Sequence, residues 1–285
     1  TIGFMKKLSL IRSSVRLSSI PRFANLALAF WLAFAMVATQ AGEDNGKGQS
    51  LQTYPQPLIA WSFADAEGTF VPDVTGHGYD ATIYGQPQFV HRWDQVALAF
   101  DGSGDNSFWH GGVQNCGLGI DKRLTQAFNE LSIAAWVRKQ PAWWMPIVYR
   151  DLWDNPAGFG LYMEWTSGKA VFGHYDAIGH RSQVQSVTVV QDGHWHYVVG
   201  TMQPSTSDPG YLYRIYVDGQ LDAQQVGLWA VDEASAVGGI LKIAYPNITG
   251  ADLPLKGSIE GVAIFDVALT GSQVKALFDA TRQRP

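Results

Sequence analysis

Leu131-Ser132-Ile133-Ala134-Ala135-Trp136-Val137 alternates so that its large side chains fall mostly on one face, the pattern of a β-strand packed on a core. The same texture extends outward from it, from residue 58 to the end. Short apolar or alternating runs cover residues 58–63, 96–100, 160–164, 170–174, 195–202, 211–217, 240–245 and 259–265, with Gly, Asp, Asn and Pro between them. Strand-sized runs separated by turn residues predict an all-β, two-sheet antiparallel sandwich. Residues 211–217 run into Asp218-Gly219, a pair suited to a tight hairpin. One short helix is expected near the C-terminal end. Thr270 would cap residues 271–280, where Val274, Leu277 and Phe278 stand at i, i+3 and i+4. Trp61, Phe63, Trp136 and Trp195 lie inside strand patterns and are expected to fill the core between the sheets. No repeat and no second shift of composition follows, so residues 58–285 read as one domain.

The N-terminal part reads differently. Lys6, Lys7, Arg12, Arg16 and Arg22 precede any acid, residues 26–37 are apolar or small, and Thr39-Gln40-Ala41 offers a small-residue exit. Residues 1–41 therefore read as a secretory signal peptide with Met5 as the start. Residues 42–57, rich in Gly, Gln and Pro, read as a flexible linker. The apolar run falls short of the ~20 residues a membrane-spanning helix needs, so no span is expected once the signal is removed. The implied location is extracellular or periplasmic. The full chain carries 20 basic and 25 acidic residues, a net of −5. Without residues 1–41 the balance is 15 against 25, a net of −10. No long basic run follows residue 41, which argues against nucleic acid as a partner. The single cysteine, Cys116, can form no internal disulfide.

The order of motifs resembles a known family. Trp61-Ser62-Phe63 opens the domain. Asp73-Val74-Thr75-Gly76-His77-Gly78-Tyr79-Asp80 is similar to the family's D-x-S-G-N-G-x-D loop. Ala99-Phe100-Asp101-Gly102 resembles its L-x-F-D-G strand end, and residues 131–137 its F-T-I-x-A-W-V core strand. Trp195-His196-Tyr197-Val198-Val199 and Tyr216-Val217-Asp218-Gly219 resemble W-x-H-V-A and Y-V-D-G. Gly257-Ser258-Ile259-Glu260-Gly261-Val262 and Ala268-Leu269-Thr270 resemble the closing segment. These motifs span residues 58–285 and are similar to the LamG-like jelly-roll family of the concanavalin A-like lectin/glucanase superfamily. The resemblance implies a jelly-roll sandwich and a structural calcium. Asp73 and Glu260 would give carboxylates and His77 its backbone carbonyl, in keeping with calcium's demand for oxygen ligands. His77 stands where the family has Asn, and Glu260 where it has Asp. Without a metal, Asp73 and Asp80 would simply organise a Gly-rich turn.

The expected function is that of a secreted binding module with polysaccharide or glycoconjugate as partner. Sugar rings stack on aromatic faces. Trp109, Trp143, Trp144, Trp153 and Asp154 fall outside the strand patterns, the last four within residues 139–158, which read as a loop. A surface protein is the alternative partner, since interface hot spots favour Trp and Tyr. Glucanases of this architecture carry E-x-D-x-x-E on one strand, which aligns the catalytic acids on one face. This sequence contains no E-x-D, and Glu164 has no acidic neighbour at i+2, so no catalytic residue is assigned.

Overall fold

The computed structural model describes residues 54–101, 117–120, 122–124, 126–139, 145–152, 155–164, 166–175, 180–227, 240–244 and 256–282. Among the described residues sixteen strands and one α-helix follow in chain order. They are β1 (Ile59–Trp61), β2 (Phe70–Val71), β3 (Ala81–Tyr84), β4 (Gln88–Arg92), β5 (Gln95–Asp101), β6 (Gly117–Ile120), β7 (Leu131–Arg138) and β8 (Met145–Leu152). Then come β9 (Asn155–Met163), β10 (Lys169–Tyr175), β11 (Arg181–Val189), β12 (Trp195–Pro204), β13 (Tyr211–Val217), β14 (Gln220–Gly227), β15 (Ile240–Ile243), β16 (Lys256–Phe265) and α1 (Gly271–Thr281). The first sheet runs β14-β13-β12-β7-β16-β5-β4, with β1 paired to β16; the second runs β11-β10-β9-β8-β15-β6-β3-β2. Every strand pair is antiparallel. The architecture is the expected sandwich with one C-terminal helix.

The core between the sheets joins Ile133, Val137, Val198 and Ile215 of the first sheet to Phe159, Leu161 and Phe172 of the second. Trp61 and Phe63 belong to it as expected. Trp136 and Trp195 do not. The two-residue period of β7 turns Trp136 away from Ile133 and Val137, onto the outer face of the first sheet. There it packs with Tyr197, Tyr216 and Phe265 beneath Val274 and Leu277 of α1, and half-buried Trp195 joins the same cluster. The helix starts as the sequence suggests. The Thr270 side chain accepts from the Gln273 amide and the Gln273 side chain answers to the Thr270 backbone, a full capping box.

Residues 139–158 are a different matter. The sequence reading made them a loop, but they contain β8 and the start of β9. Two prolines, Pro146 and Pro156, disguise these strands. Proline gives no ladder hydrogen bond and is tolerated at irregular positions, and the β8–β9 register does shift between Pro146 and Val148. The expected hairpin at Asp218-Gly219 joins β13 to β14, with φ of 51° and 79° at the two residues. Two positive φ values in succession match the twist of the flanking strands, and Gly219 supplies one without a Cβ penalty.

Candidate functional site

The helix covers the outer face of the first sheet, which leaves the outer face of the second as the broad sheet face without a helix among the described residues. One row of directly opposed residues crosses that sheet. It reads Gln183, Gly173, Gly160, Tyr149, Lys242, Gly119, Thr82 and Phe70, from β11 to β2. Tyr149 marks the side this row faces. It belongs with Tyr162 and Val171 to a small cluster separate from the inter-sheet core. The absence of a side chain at Gly160 is required here, because a Cβ there would lie 2.6 Å from the Tyr149 ring. Tyr149 therefore lies across bare backbone. On the adjoining row Tyr162 stands opposite Val171, and its hydroxyl donates to Gln183 Oε1 at 3.1 Å. The face thus combines two tyrosine rings, a glycine-lined floor and the half-buried Gln183 amide, and Tyr149, Tyr162 and Lys242 are all buried on it. Aromatic rings beside hydrogen-bonding groups are the combination that small-molecule sites use for orientation and specificity.

The tryptophans singled out from the sequence cannot be compared with this face. Trp109, Trp143, Trp144, Trp153 and Asp154 lie outside the described residues. Their neighbours in sequence, β8 and β9, are the strands that carry Tyr149 and Tyr162. Sequence reasoning missed those tyrosines and the glycines beside them. The strand alternation around Tyr162 was visible, but which face it served was not.

The proposed calcium ligands are all described. Asp73 is buried, and its Oδ1 accepts from the Ala60 amide (3.3 Å), the Thr75 amide (3.0 Å) and the Thr75 hydroxyl (2.6 Å). Its Oδ2 accepts from the Tyr79 amide at 3.1 Å. Asp80 Oδ1 accepts from the Asp73 amide at 2.8 Å. Glu260, buried on β16, holds Arg92 instead. Arg92 Nε lies 2.7 Å and its terminal nitrogen 2.5 Å from the same carboxylate oxygen. Burial pushes the Glu260 pKa up, against the pull of Arg92, and pushes that of Arg92 down. Among the described residues no group of three or more His, Cys, Asp or Glu side chains is gathered as a metal would need. Asp73 and His77 share one loop; Glu260 is committed elsewhere.

Glu164 sits one residue beyond β9. Burial would raise its pKa, but the Thr166 and Ser167 hydroxyls and amides all donate to one of its oxygens and hold it at about 2. A group that stays ionised to that point gives up no proton near neutrality. The segment after Pro204 is a hairpin closed by the Ser205 amide on the Gly210 carbonyl at 2.9 Å.

Residues 110–275 match the Laminin_G_3 family, of the concanavalin A-like lectin/glucanases superfamily. The chain belongs to this family. No curated protein sequence matches it. Among solved structures, the fold is similar to that of domain 4 of AbnA, a GH43 extracellular arabinanase from Geobacillus stearothermophilus, in complex with arabinotriose. The TM-score is 0.58 at 17% identity, over 78% of this chain and 97% of that one. The binding domain of Paraclostridial Mosquitocidal Protein 1 aligns at a TM-score of 0.54 and 13% identity, over 78% of this chain and 51% of that one. Trypanosoma rangeli sialidase in complex with sialic acid aligns at 0.54 and 17%, over 89% of this chain and 38% of that one. The chain thus spans about half of the mosquitocidal protein's chain and less of the sialidase. These likenesses establish the fold. The calcium that family resemblance implied does not fit the donors as arranged, since Asp73 is saturated by hydrogen bonds and Glu260 by a guanidinium.

Proposed function

We propose that this Laminin_G_3 chain is a secreted, non-catalytic module that binds polysaccharide or glycoconjugate on the outer face of its second sheet. One observation carries the reading: the row on the outer face of the second sheet that sets the buried Tyr149 ring over Gly160, with the half-buried Gln183 amide at its edge. Flat rings suit the apolar faces of sugars and the half-buried Gln183 amide suits their hydroxyls; Tyr149 and Tyr162 are buried, so a sugar stacking on them would displace what covers them. The arabinanase domain solved with arabinotriose supports this ligand class. Secretion follows from the signal pattern of residues 1–41. The non-catalytic part rests on chemistry. Retaining and inverting glycosidases need one carboxyl group that can deliver a proton, and Glu164 is held ionised while Glu260 is buried against Arg92.

Affinity electrophoresis through gels containing single polysaccharides, arabinan among them, tests the proposal. At least one polymer is expected to retard the chain, and Tyr162→Ala to restore free mobility while the fold, followed by circular dichroism, persists. A chain that migrates freely in every gel contradicts the reading.

A protein partner has one observation of its own. Val187 and Val189 on β11 and Leu221 on β14 are exposed at the side where these two edge strands meet. A chain that ignores all glycans yet binds a protein, with loss in Val187→Asp, would favour that role.

A further inference from the structure

The loop before β3 is closed by the chain's own donors. His77 Nδ1 lies 2.8 Å from the Leu58 carbonyl, which can only accept, so Nδ1 carries a proton and donates it there. The same nitrogen is 2.9 Å from Thr75 Oγ1, whose own proton is directed to Asp73 Oδ1. The His77 carbonyl oxygen, the atom that the family resemblance assigned to calcium, is also taken. Lys122 Nζ donates to it at 2.5 Å and stands 4.2 Å over the Tyr79 ring. An ammonium held between a carbonyl dipole and an aromatic face is a favourably placed cation. Arg92 fills the matching role at Glu260.

We infer that Lys122 is a tethered counter-cation of this loop, and that the loop holds without calcium. The topology explains how it works. Lys122 stands two residues beyond the end of β6, and β6 pairs with β3 through Ile120 and Ala81. The ammonium therefore ties the chain entering β3 to the chain leaving β6, at one end of the second sheet. A divalent ion entering there would meet like charge at Lys122. It would also meet a carboxylate, Asp73, already accepting four hydrogen bonds, where calcium needs six to eight oxygens free to turn toward it. The inference does not depend on the carbohydrate reading, since it concerns the opposite requirement, what the fold can do without.

Thermal unfolding in millimolar calcium and in EDTA tests it, on the wild type, Lys122→Met, Lys122→Arg and Asp73→Asn. The wild-type Tm is expected to agree in the two buffers. Lys122→Met should lower Tm by about 2–4 °C in both, the size expected for a modest local loss in a domain of this length, and Lys122→Arg should restore most of it. A wild-type Tm that rises in calcium, with the rise lost in Asp73→Asn, overturns the inference. Should Asp73→Asn not fold, Asp80→Asn serves the same comparison. A Lys122→Met Tm equal to that of the wild type also overturns it.

Discussion

At Gly160 the backbone itself forms the floor of the candidate site, and a methyl group there would meet the Tyr149 ring at 2.6 Å. Gly160→Ala should therefore displace the ring and cost about 1–3 kcal/mol, read by urea unfolding, together with any ligand affinity. Stability equal to wild type would show that the ring moves freely. A second residue sets a pH dependence. His196 Nδ1 is 2.8 Å from Asp218 and its Nε2 is 3.2 Å from Asp192, so both ring nitrogens face carboxylates and the imidazolium is favoured. The hydrogen bond to Asp218 raises its pKa above the ordinary 6.5, although burial works the other way. A raised pKa in the folded state contributes stability that is full below the unfolded pKa and is lost as pH rises through the folded one. Tm should thus fall as pH rises above 6.5 and through the raised folded-state value, and His196→Gln should flatten that part of the profile. A wild-type profile already flat there contradicts the assignment.

Elements were legible in the sequence where their signals are local. Thr270 and Gln273 announce the helix start within four residues, and Asp218-Gly219 announces its hairpin. Thr270→Ala should accordingly cost about 1 kcal/mol in denaturant unfolding, and a loss near zero would mean that packing on the first sheet alone holds α1. The β8 strand was hidden because Pro146 within it and the tryptophans that flank it in sequence, Trp143, Trp144 and Trp153, carry a loop signature, while its pairing partners, β9 and β15, lie on either side in space. The side of the sandwich that Trp136 faces was hidden for a related reason. Alternation gives two faces of β7, but only the packing of α1, far along the chain, decides that the second face is also buried.

At the scale of the molecule, distant pairing governs both stability and site. Arg92 and Glu260 stand 168 residues apart, and no pattern in either neighbourhood predicts their union. Arg92 also donates to the Thr281 carbonyl at 3.0 Å and lies 3.9 Å from the Trp136 ring centre, so it fastens α1 to the first sheet. Glu260→Ala, which strands a buried guanidinium, should cost about 3–5 kcal/mol, and the double change Arg92→Met with Glu260→Leu much less, by chemical unfolding. Equal losses would show that the pair is not coupled. The candidate site depends on distance in the same way. Gly119, Gly160 and Gly173 each look like ordinary punctuation in the sequence, and only the register of eight strands aligns them with Tyr149 and Gln183. The central claim is that this aligned face binds carbohydrate. Backbone amide NMR of the chain titrated with an oligosaccharide from the polymer that retards it reads the face directly. The account predicts shifts concentrated at Gly119, Gly160, Gly173 and Gln183. Shifts confined to α1 and the first sheet, or none at saturating sugar, would contradict it.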